Sequence, residues 1–132
     1  VDGYHNIRHY PEATQIPGLL MIRWDAPLFF ANANIFRKMV RDELAQMDTK
    51  PYWVLVAAEP VTDVDTTAAD MLIDLDEELN AGEVHLVFAE LKNPVKEKIM
   101  RYGLLDTIDS RHFYPTLEMA VAAFYEEWEG IF

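Results

Sequence analysis

The sequence predicts a single α/β domain, in which a central mixed β-sheet is flanked by about four α-helices. Strand-like segments come first along the chain and later strands alternate with helical segments, which is typical of a helix-covered sheet with mixed strand directions. The run Trp53–Ala57 is apolar at every position, as expected for a central strand buried on both faces. The chain has 132 residues, of which 51% are hydrophobic, so it can build one core but is too short for two. We therefore expect residues 1–132 to form one domain.

The segment before this central strand is predicted to hold three further strands. Tyr4–Tyr10 has a strand-like composition and ends at a proline. Leu19–Trp24 is a compact apolar segment that follows the turn signal of Pro17-Gly18. Leu28–Ala31 is predicted to be a further short strand.

A helix is predicted next, capped by Asn32 or Asn34 and running to about Met47, because asparagine is a favoured residue at helix N-termini. Its apolar residues recur at spacings of three and four, the period of one helix face. They are Phe36, Met39, Val40 and Leu44.

After the central strand, a helix is predicted over about Thr67–Leu79, ending at Ala81-Gly82. It carries apolar residues on one face and acidic residues largely on the other. The apolar residues are Met71, Leu72, Leu75 and Leu79. Val84–Phe88 reads as the next strand.

Two more helices complete the predicted fold. One begins with Pro94 in its first turn and ends at Tyr102, where Gly103 suits the left-handed conformation that closes a helix. The other spans about Thr116–Trp128. The residues that it is expected to bury are Leu117, Val121, Phe124 and Trp128.

The composition argues against several classes of function. Asp and Glu number 23 against 11 Lys and Arg, so the net charge of −12 disfavours nucleic acid as a partner. The chain has no cysteine, which excludes disulfides, thiolate metal sites and cysteine nucleophiles. Apolar runs such as Ala26–Ala31 are far shorter than the roughly 18 to 20 residues needed to cross a bilayer.

No catalytic or metal-binding motif is recognisable, so we expect neither an enzyme nor a metal site. The five glycines are scattered and form no phosphate-binding motif, and the one serine, Ser110, lacks a G-x-S-x-G context. If His5 and His9 lie on a strand, they are about 13 Å apart and cannot share a zinc ion. His85 and His112 are expected to be ordinary surface or half-buried imidazoles.

The loop after the central strand combines more unusual features. It leads from the carboxyl end of a strand to a helix N-terminus, where free N–H groups and the helix dipole favour an anion or a modified hydroxyl. We single out six residues as a candidate nucleotide-binding, anion-binding or phosphorylation loop: Asp63, Val64, Asp65, Thr66, Thr67 and Ala68. The alternative is structural, with Asp65 or Thr67 only capping the helix and Thr67-x-x-Asp70 forming a capping box.

The helix after this loop is strongly acidic. From Asp63 to Glu78 the sequence has seven acidic residues and no basic residue. This face is either simply solvated or a docking surface for a partner. The candidate partner face comprises Asp70, Asp74, Glu77 and Glu78.

Three stretches of the sequence resemble a known family. The stretch Val61–Leu72, after an apolar strand, resembles the signature loop and helix of STAS domains, which occur in sulfate transporters and anti-sigma factor antagonists. The opening stretch Tyr10–Ala33 resembles the start of the STAS domain of the SulP sulfate permease family and is the more specific signal. With Phe113–Thr116 near the end, the resemblance covers about Tyr4–Tyr125.

This resemblance implies a cytosolic regulatory and interaction domain on the C-terminal side of a membrane-embedded anion transporter, with no catalytic activity. It implies the transmembrane domain of the same transporter chain as partner, or a second protomer or a cytosolic protein. We therefore expect the chain to be excised from a longer protein at the cytoplasmic side of the membrane. The alternative is a free-standing antagonist switched by phosphorylation, and the length of the natural reading frame distinguishes the two.

The resemblance also implies two roles for the loop. In the antagonist branch, the position matching Thr66 is a phosphorylated serine and the position matching Ala68 is a glycine. In this chain, added phosphate charge is unfavourable beside Asp63, Asp65 and Asp70. Similar domains are associated with nucleotide binding, and the candidate ligand here is a purine nucleotide. Because nearby carboxylates offset the helix dipole, we expect any nucleotide affinity to be weak unless Mg²⁺ bridges the acids and the phosphates.

Overall fold

The computed structural model describes residues 12–25, 28–103 and 112–128, which form five strands and four helices. In chain order they are β1 (Glu12–Ile16), β2 (Leu19–Arg23), α1 (Phe30–Gln46), β3 (Trp53–Ala57), α2 (Thr66–Ala81), β4 (His85–Ala89), α3 (Asn93–Arg101), β5 (Phe113–Tyr114) and α4 (Leu117–Trp128). No helix in this described part of the chain is both long enough and apolar enough to cross a membrane.

The five strands form one mixed sheet in the order β1-β2-β3-β4-β5. β1 pairs with β2 antiparallel through a two-residue turn, and the remaining pairs are parallel. Proline followed by a positive-φ glycine is the pattern of a type II turn, and Gly18 has φ 81°. The mixed α/β sheet with four flanking helices is therefore confirmed.

The helices are divided unequally between the two faces of the sheet. The larger core cluster contains buried residues of α1, α2 and α3, and the smaller cluster contains Ala120 and Phe124 of α4. Alternate residues of β3 belong to different clusters, with Val54 and Val56 on the larger side and Trp53 and Leu55 on the smaller. This alternation explains why the whole strand is apolar and buried.

Most predicted elements agree with the structure to within about two residues. The four apolar residues predicted for α2 are buried, and α2 ends at Ala81 with Gly82 as its C-cap. Pro94 lies in the first turn of α3, and Gly103 follows it with φ 101°. On α4, Phe124 is buried, while the other three residues expected to be buried are partly exposed.

The region around the start of α1 differs from the prediction. Leu28 makes only an isolated parallel bridge to Val64, and the helix already begins at Phe30, so the predicted strand Leu28–Ala31 is wrong. A short apolar run does not by itself distinguish a strand from a buried helical turn. Asn32 lies at the third position of the helix, where its side chain accepts a hydrogen bond from the Phe29 N–H at 2.9 Å.

The sequence analysis did not predict β1 (Glu12–Ile16), which is the first strand of the described sheet. The predicted strand Tyr4–Tyr10 lies outside the described residues. The sequence of β1, EATQI, is short and largely polar, as an exposed edge strand often is. Such a strand gives little hydrophobic signal, which explains why the sequence reading passed over it.

Candidate functional site

The loop between β3 and α2 is fixed by backbone hydrogen bonds on both sides. The Ala58 N–H donates to the Ala89 carbonyl at 2.9 Å, at the end of β4. Leu28 donates to the Asp63 carbonyl at 3.0 Å and accepts from the Asp65 N–H at 3.1 Å. These hydrogen bonds hold the backbone of the loop between the carboxyl end of β4 and the start of α1.

Asp65 is the N-cap residue of α2. Its backbone is extended, and its carboxylate accepts a hydrogen bond from the Ala68 N–H at 2.8 Å. Thr66 and Thr67 occupy the first two helical positions and are exposed. The predicted cap at Asp65 is confirmed, and the predicted capping box at Thr67 is wrong because the helix begins one residue earlier. Asp65 also occupies an N–H group that a bound anion would use.

Asp63 forms an ion pair with α3. Lys98 Nζ lies 2.6 Å from Asp63 Oδ1, which also accepts from the Val64 N–H at 2.8 Å. The hydrogen bond from Lys98, followed by that from Val64, lowers the pKa of the Asp63 carboxyl. The hydrogen bond from Asp63 in turn raises the pKa of Lys98. Both side chains are partly exposed, so solvent screens the interaction.

A second lysine of the same region reaches the loop. Lys92, which precedes α3, donates to the backbone carbonyl of Glu59, and its Nζ lies 3.8 Å from the Glu59 carboxylate. The stretch 92–101 holds four of the chain's 11 basic residues: Lys92, Lys96, Lys98 and Arg101. The loop therefore has basic neighbours in space, although the sequence from Asp63 to Glu78 has none.

The exposed face of α2 carries residues from both groups singled out from the sequence. Thr66, Asp70, Asp74 and Glu77 are all exposed, and their spacings of four, four and three place them on one side of the helix. We call these four residues the α2 stripe. At about 1.5 Å per residue, the stripe is about 16 Å long.

Glu78 does not belong to this stripe. Arg41 of α1 holds its carboxylate through two hydrogen bonds, at 2.5 and 3.0 Å. The hydrogen bond from Arg41 lowers the pKa of Glu78. Glu78 therefore connects α1 to α2 through an exposed ion pair. Asp76, counted within the acidic run, is buried at 1% exposure, so the run is not one solvated face.

A family comparison identifies the fold that builds this site. The family model described as STAS domain matches residues 10–120. The chain belongs to the STAS domain family. The family resemblance stated from the signature loop and the opening stretch is thereby confirmed.

Sequence relatives of this STAS domain carry transporter names. It is 38% identical over 124 residues to a probable sulfate transporter of Mycobacterium tuberculosis, covering 94% of this chain and 22% of that protein. It is 33% identical over 126 residues to sulfate transporter 1.3 of Arabidopsis thaliana, covering 89% of this chain and 19% of that protein. The STAS domain thus spans about one fifth of the relatives that it matches.

Solved structures share the fold. The murine Slc26a9 anion transporter superposes with a TM-score of 0.75 at 22% identity, over 86% of this chain and 18% of that one. The STAS domain of a SulP transporter from Vibrio cholerae gives 0.72 at 20% identity, covering 88% of each chain. A putative anti-sigma factor antagonist from Thermotoga maritima gives 0.71 at 16% identity, over 90% of this chain and 97% of that one.

The structure of this STAS domain describes two of its four histidines. His5, His9 and Ser110 lie outside the described residues. His85 and His112 are half-buried, as expected, but their rings lie 5.2 Å apart, which sequence reasoning did not anticipate. The described residues contain no cluster of three or more His, Asp or Glu side chains suited to a metal ion.

Proposed function

We propose that this STAS domain is the cytosolic regulatory domain of a sulfate-type anion transporter and has no catalytic activity of its own. The support is its 38% identity, over 94% of its length, to a protein named as a probable sulfate transporter, of which it spans only 22%. The remaining four-fifths of such a protein would carry the transport path. In this proposal the domain lies at the cytoplasmic side of the membrane.

The α2 stripe is the proposed contact surface. Among the described residues, Asp70, Asp74 and Glu77 have no basic partner within ion-pairing distance. Exposed charges of this kind contribute little to folding, so they are available for binding at a small cost in stability. Cytoplasmic loops of membrane proteins carry an excess of Lys and Arg. A negative stripe therefore complements the cytoplasmic side of the transmembrane domain of the same chain, which we take as the partner ahead of a second protomer or a cytosolic protein.

The experiment reverses charges on the stripe in the full transporter that contains this domain. Asp70→Lys with Asp74→Lys is expected to alter sulfate uptake while the domain stays folded, because both side chains are exposed. The matched control is Glu118→Lys with Glu126→Lys, two exposed acidic residues of α4 that change the net charge equally. Uptake that equals the parent in the stripe variant, at equal protein levels, contradicts the docking role.

Weak purine nucleotide binding at the loop is a second proposal. It is supported by the ammonium groups of Lys92 and Lys98, which bring positive charge to the loop. It is opposed by Asp65, whose carboxylate already accepts from the Ala68 N–H. Mg²⁺ would offset the carboxylates, so affinity should rise with Mg²⁺ and fall with salt.

Amide NMR shifts test this second role. Adding a purine nucleotide with Mg²⁺ is expected to shift signals of residues 64–69, and Lys98→Gln is expected to reduce those shifts. Lys38→Gln is the control, because Lys38 lies on α1 and pairs with Asp42 instead. An absence of shifts in residues 64–69 at millimolar nucleotide excludes the role.

Phosphorylation of Thr66 is the third proposal for the loop, and it belongs to the alternative of a switched antagonist. The exposure of Thr66 at the first position of α2 supports access by a kinase. Ala68 is fully buried, where the antagonist branch has glycine. If phosphorylation operates, Thr66→Glu should change transport or partner binding and Thr66→Val should hold the opposite state. Identical behaviour of both variants and the parent rejects it.

A further inference from the structure

Two histidines that are far apart in sequence meet on the α4 side of the sheet. His85 is the first residue of β4 and is the register partner of Trp53, while His112 directly precedes β5. Their ring centroids lie 5.2 Å apart, with ring planes inclined at 55°. The Trp53 ring centroid lies 6.4 Å from that of His112. Both histidines are half-buried beside an aromatic part of the smaller core.

The separation of the rings allows two imidazoles to share one metal ion. A zinc–nitrogen bond is about 2.0 to 2.1 Å, which places an imidazole centroid about 3.2 Å from the metal. With a tetrahedral angle between the two bonds, the centroids are about 5 Å apart. The planes of the two imidazole rings are inclined at 55°, so the rings are not stacked in parallel. We propose that His85 and His112 together bind one divalent transition-metal ion of the zinc class.

The chemistry of the surroundings defines which ions fit. Imidazole nitrogen suits Zn²⁺, Ni²⁺ and Cu²⁺, whereas Mg²⁺ and Ca²⁺ prefer oxygen ligands. Among the described residues, which hold no cluster of three or more ligating side chains, the proposed protein ligands are His85 and His112. With these two ligands, the remaining coordination positions are open to water. Binding is therefore weaker than at a structural zinc site with four protein ligands.

The consequence of binding is local. β5 has two residues and pairs with β4 through Phe88–Phe113 and Ala89–Tyr114. An ion held by His85 and His112 ties the beginning of β4 to the residue before β5. It thereby stabilises the edge of the sheet next to α4. This site does not depend on the transporter proposal, because it uses neither the loop nor the α2 stripe.

Zinc titration of the 132-residue chain by calorimetry tests the site. Excess Mg²⁺ is present to occupy carboxylate sites, which are numerous in a chain with 23 acidic residues. We expect one Zn²⁺ per chain, and at least about tenfold weaker binding in His85→Gln and in His112→Gln, a change of about 1.4 kcal/mol. The double variant His5→Gln with His9→Gln removes the chain's other two histidines and is expected to bind like the parent.

A second measurement uses the unaltered chain, so it does not depend on how the variants fold. Trace Cu²⁺ is expected to broaden the amide NMR signals of residues 53, 85 and 112 first, because a paramagnetic ion acts on its nearest neighbours. Loss of zinc binding in the His5 and His9 double variant overturns the proposal. Retention of parent affinity in both single variants, absence of saturable zinc binding, or first broadening along α2 also overturns it.

Discussion

At the N-terminus of α2, one carboxylate provides the cap and two neighbouring hydroxyls do not. Asp65→Ala removes the hydrogen bond to the Ala68 N–H and should lower the free energy of unfolding by about 1 kcal/mol. Thr67→Ala is the matched control and should change stability by less than about 0.5 kcal/mol, because Thr67 is exposed. Denaturant titration measures both. If Thr67→Ala loses more stability than Asp65→Ala, the assignment of Asp65 as the cap is wrong.

The Asp63–Lys98 ion pair gives the loop a pH dependence at both extremes. The pKa of Asp63 is lowered, so its contribution to stability is present above the unfolded value of about 3.9 and is lost as pH falls through the folded value. The pKa of Lys98 is raised, so its contribution is present below the unfolded value of about 10.4 and is lost as pH rises through the folded value. The pair therefore stabilises the fold throughout the neutral range.

Replacing the lysine should be visible in the titration of its partner. We expect Lys98→Gln to raise the pKa of Asp63, because the charged hydrogen-bond donor at 2.6 Å is removed. Side-chain carboxyl NMR signals followed against pH give the midpoint. Lys96→Gln is the control, since Lys96 lies over the Phe113 ring instead. An unchanged Asp63 midpoint in Lys98→Gln would mean that the ion pair is absent in solution.

The sequence indicated the loop and its cap but not its basic neighbours. The position of Asp65 before an amphipathic helix is a local pattern, which a single sequence contains. Lys98 follows Asp63 by 35 residues, and only the parallel order of β3 and β4 brings α3 beside the loop. One signal was present, namely four basic residues between positions 92 and 101 of a strongly acidic chain. The meeting of His85 and His112 likewise depends on strand pairing.

Among the elements, β3 is the strand on which the rest of the sheet depends. Leu55 is fully buried in the smaller core, so Leu55→Ala should lower the free energy of unfolding by about 2 to 5 kcal/mol. Ile35→Ala on α1 is the control, because Ile35 is 58% exposed and should change stability by less than about 1 kcal/mol. Both are measured by denaturant titration. A loss below about 0.5 kcal/mol for Leu55→Ala would contradict the burial of this strand.

The elements that the sequence predicted well are those with a strong hydrophobic pattern. β3 is apolar at all five positions and α2 has one long apolar face, so both carry a strong hydrophobic signal. β1 and the start of α1 were missed for the opposite reason. β1 is short and largely polar. α1 begins at an aromatic residue, and Asn32, one of the two residues expected to cap the helix, lies inside its first turn.

At the scale of the whole molecule, charge is distributed unevenly. The net charge is −12, yet four of the 11 basic residues lie between positions 92 and 101, and two of them, Lys92 and Lys98, contact the loop. Arg41 neutralises Glu78 at the junction of α1 and α2. The outer side of α2 therefore stays negative. In the proposed transporter, this side would be attracted to positively charged cytoplasmic loops and would repel other acidic surfaces.

Salt dependence separates an attraction at the α2 stripe from a general effect of net charge. Under the proposed docking role, affinity of the chain for the membrane part of its transporter should fall as salt is raised, because the Debye length shrinks from about 10 Å at 0.1 M to about 3 Å at 1 M. Asp70→Asn with Asp74→Asn should weaken binding at low salt and flatten this dependence. Glu126→Gln with Glu127→Gln, on exposed positions of α4, changes the net charge equally and should keep the parent behaviour. Equal flattening in both double variants would assign the attraction to net charge and not to the stripe.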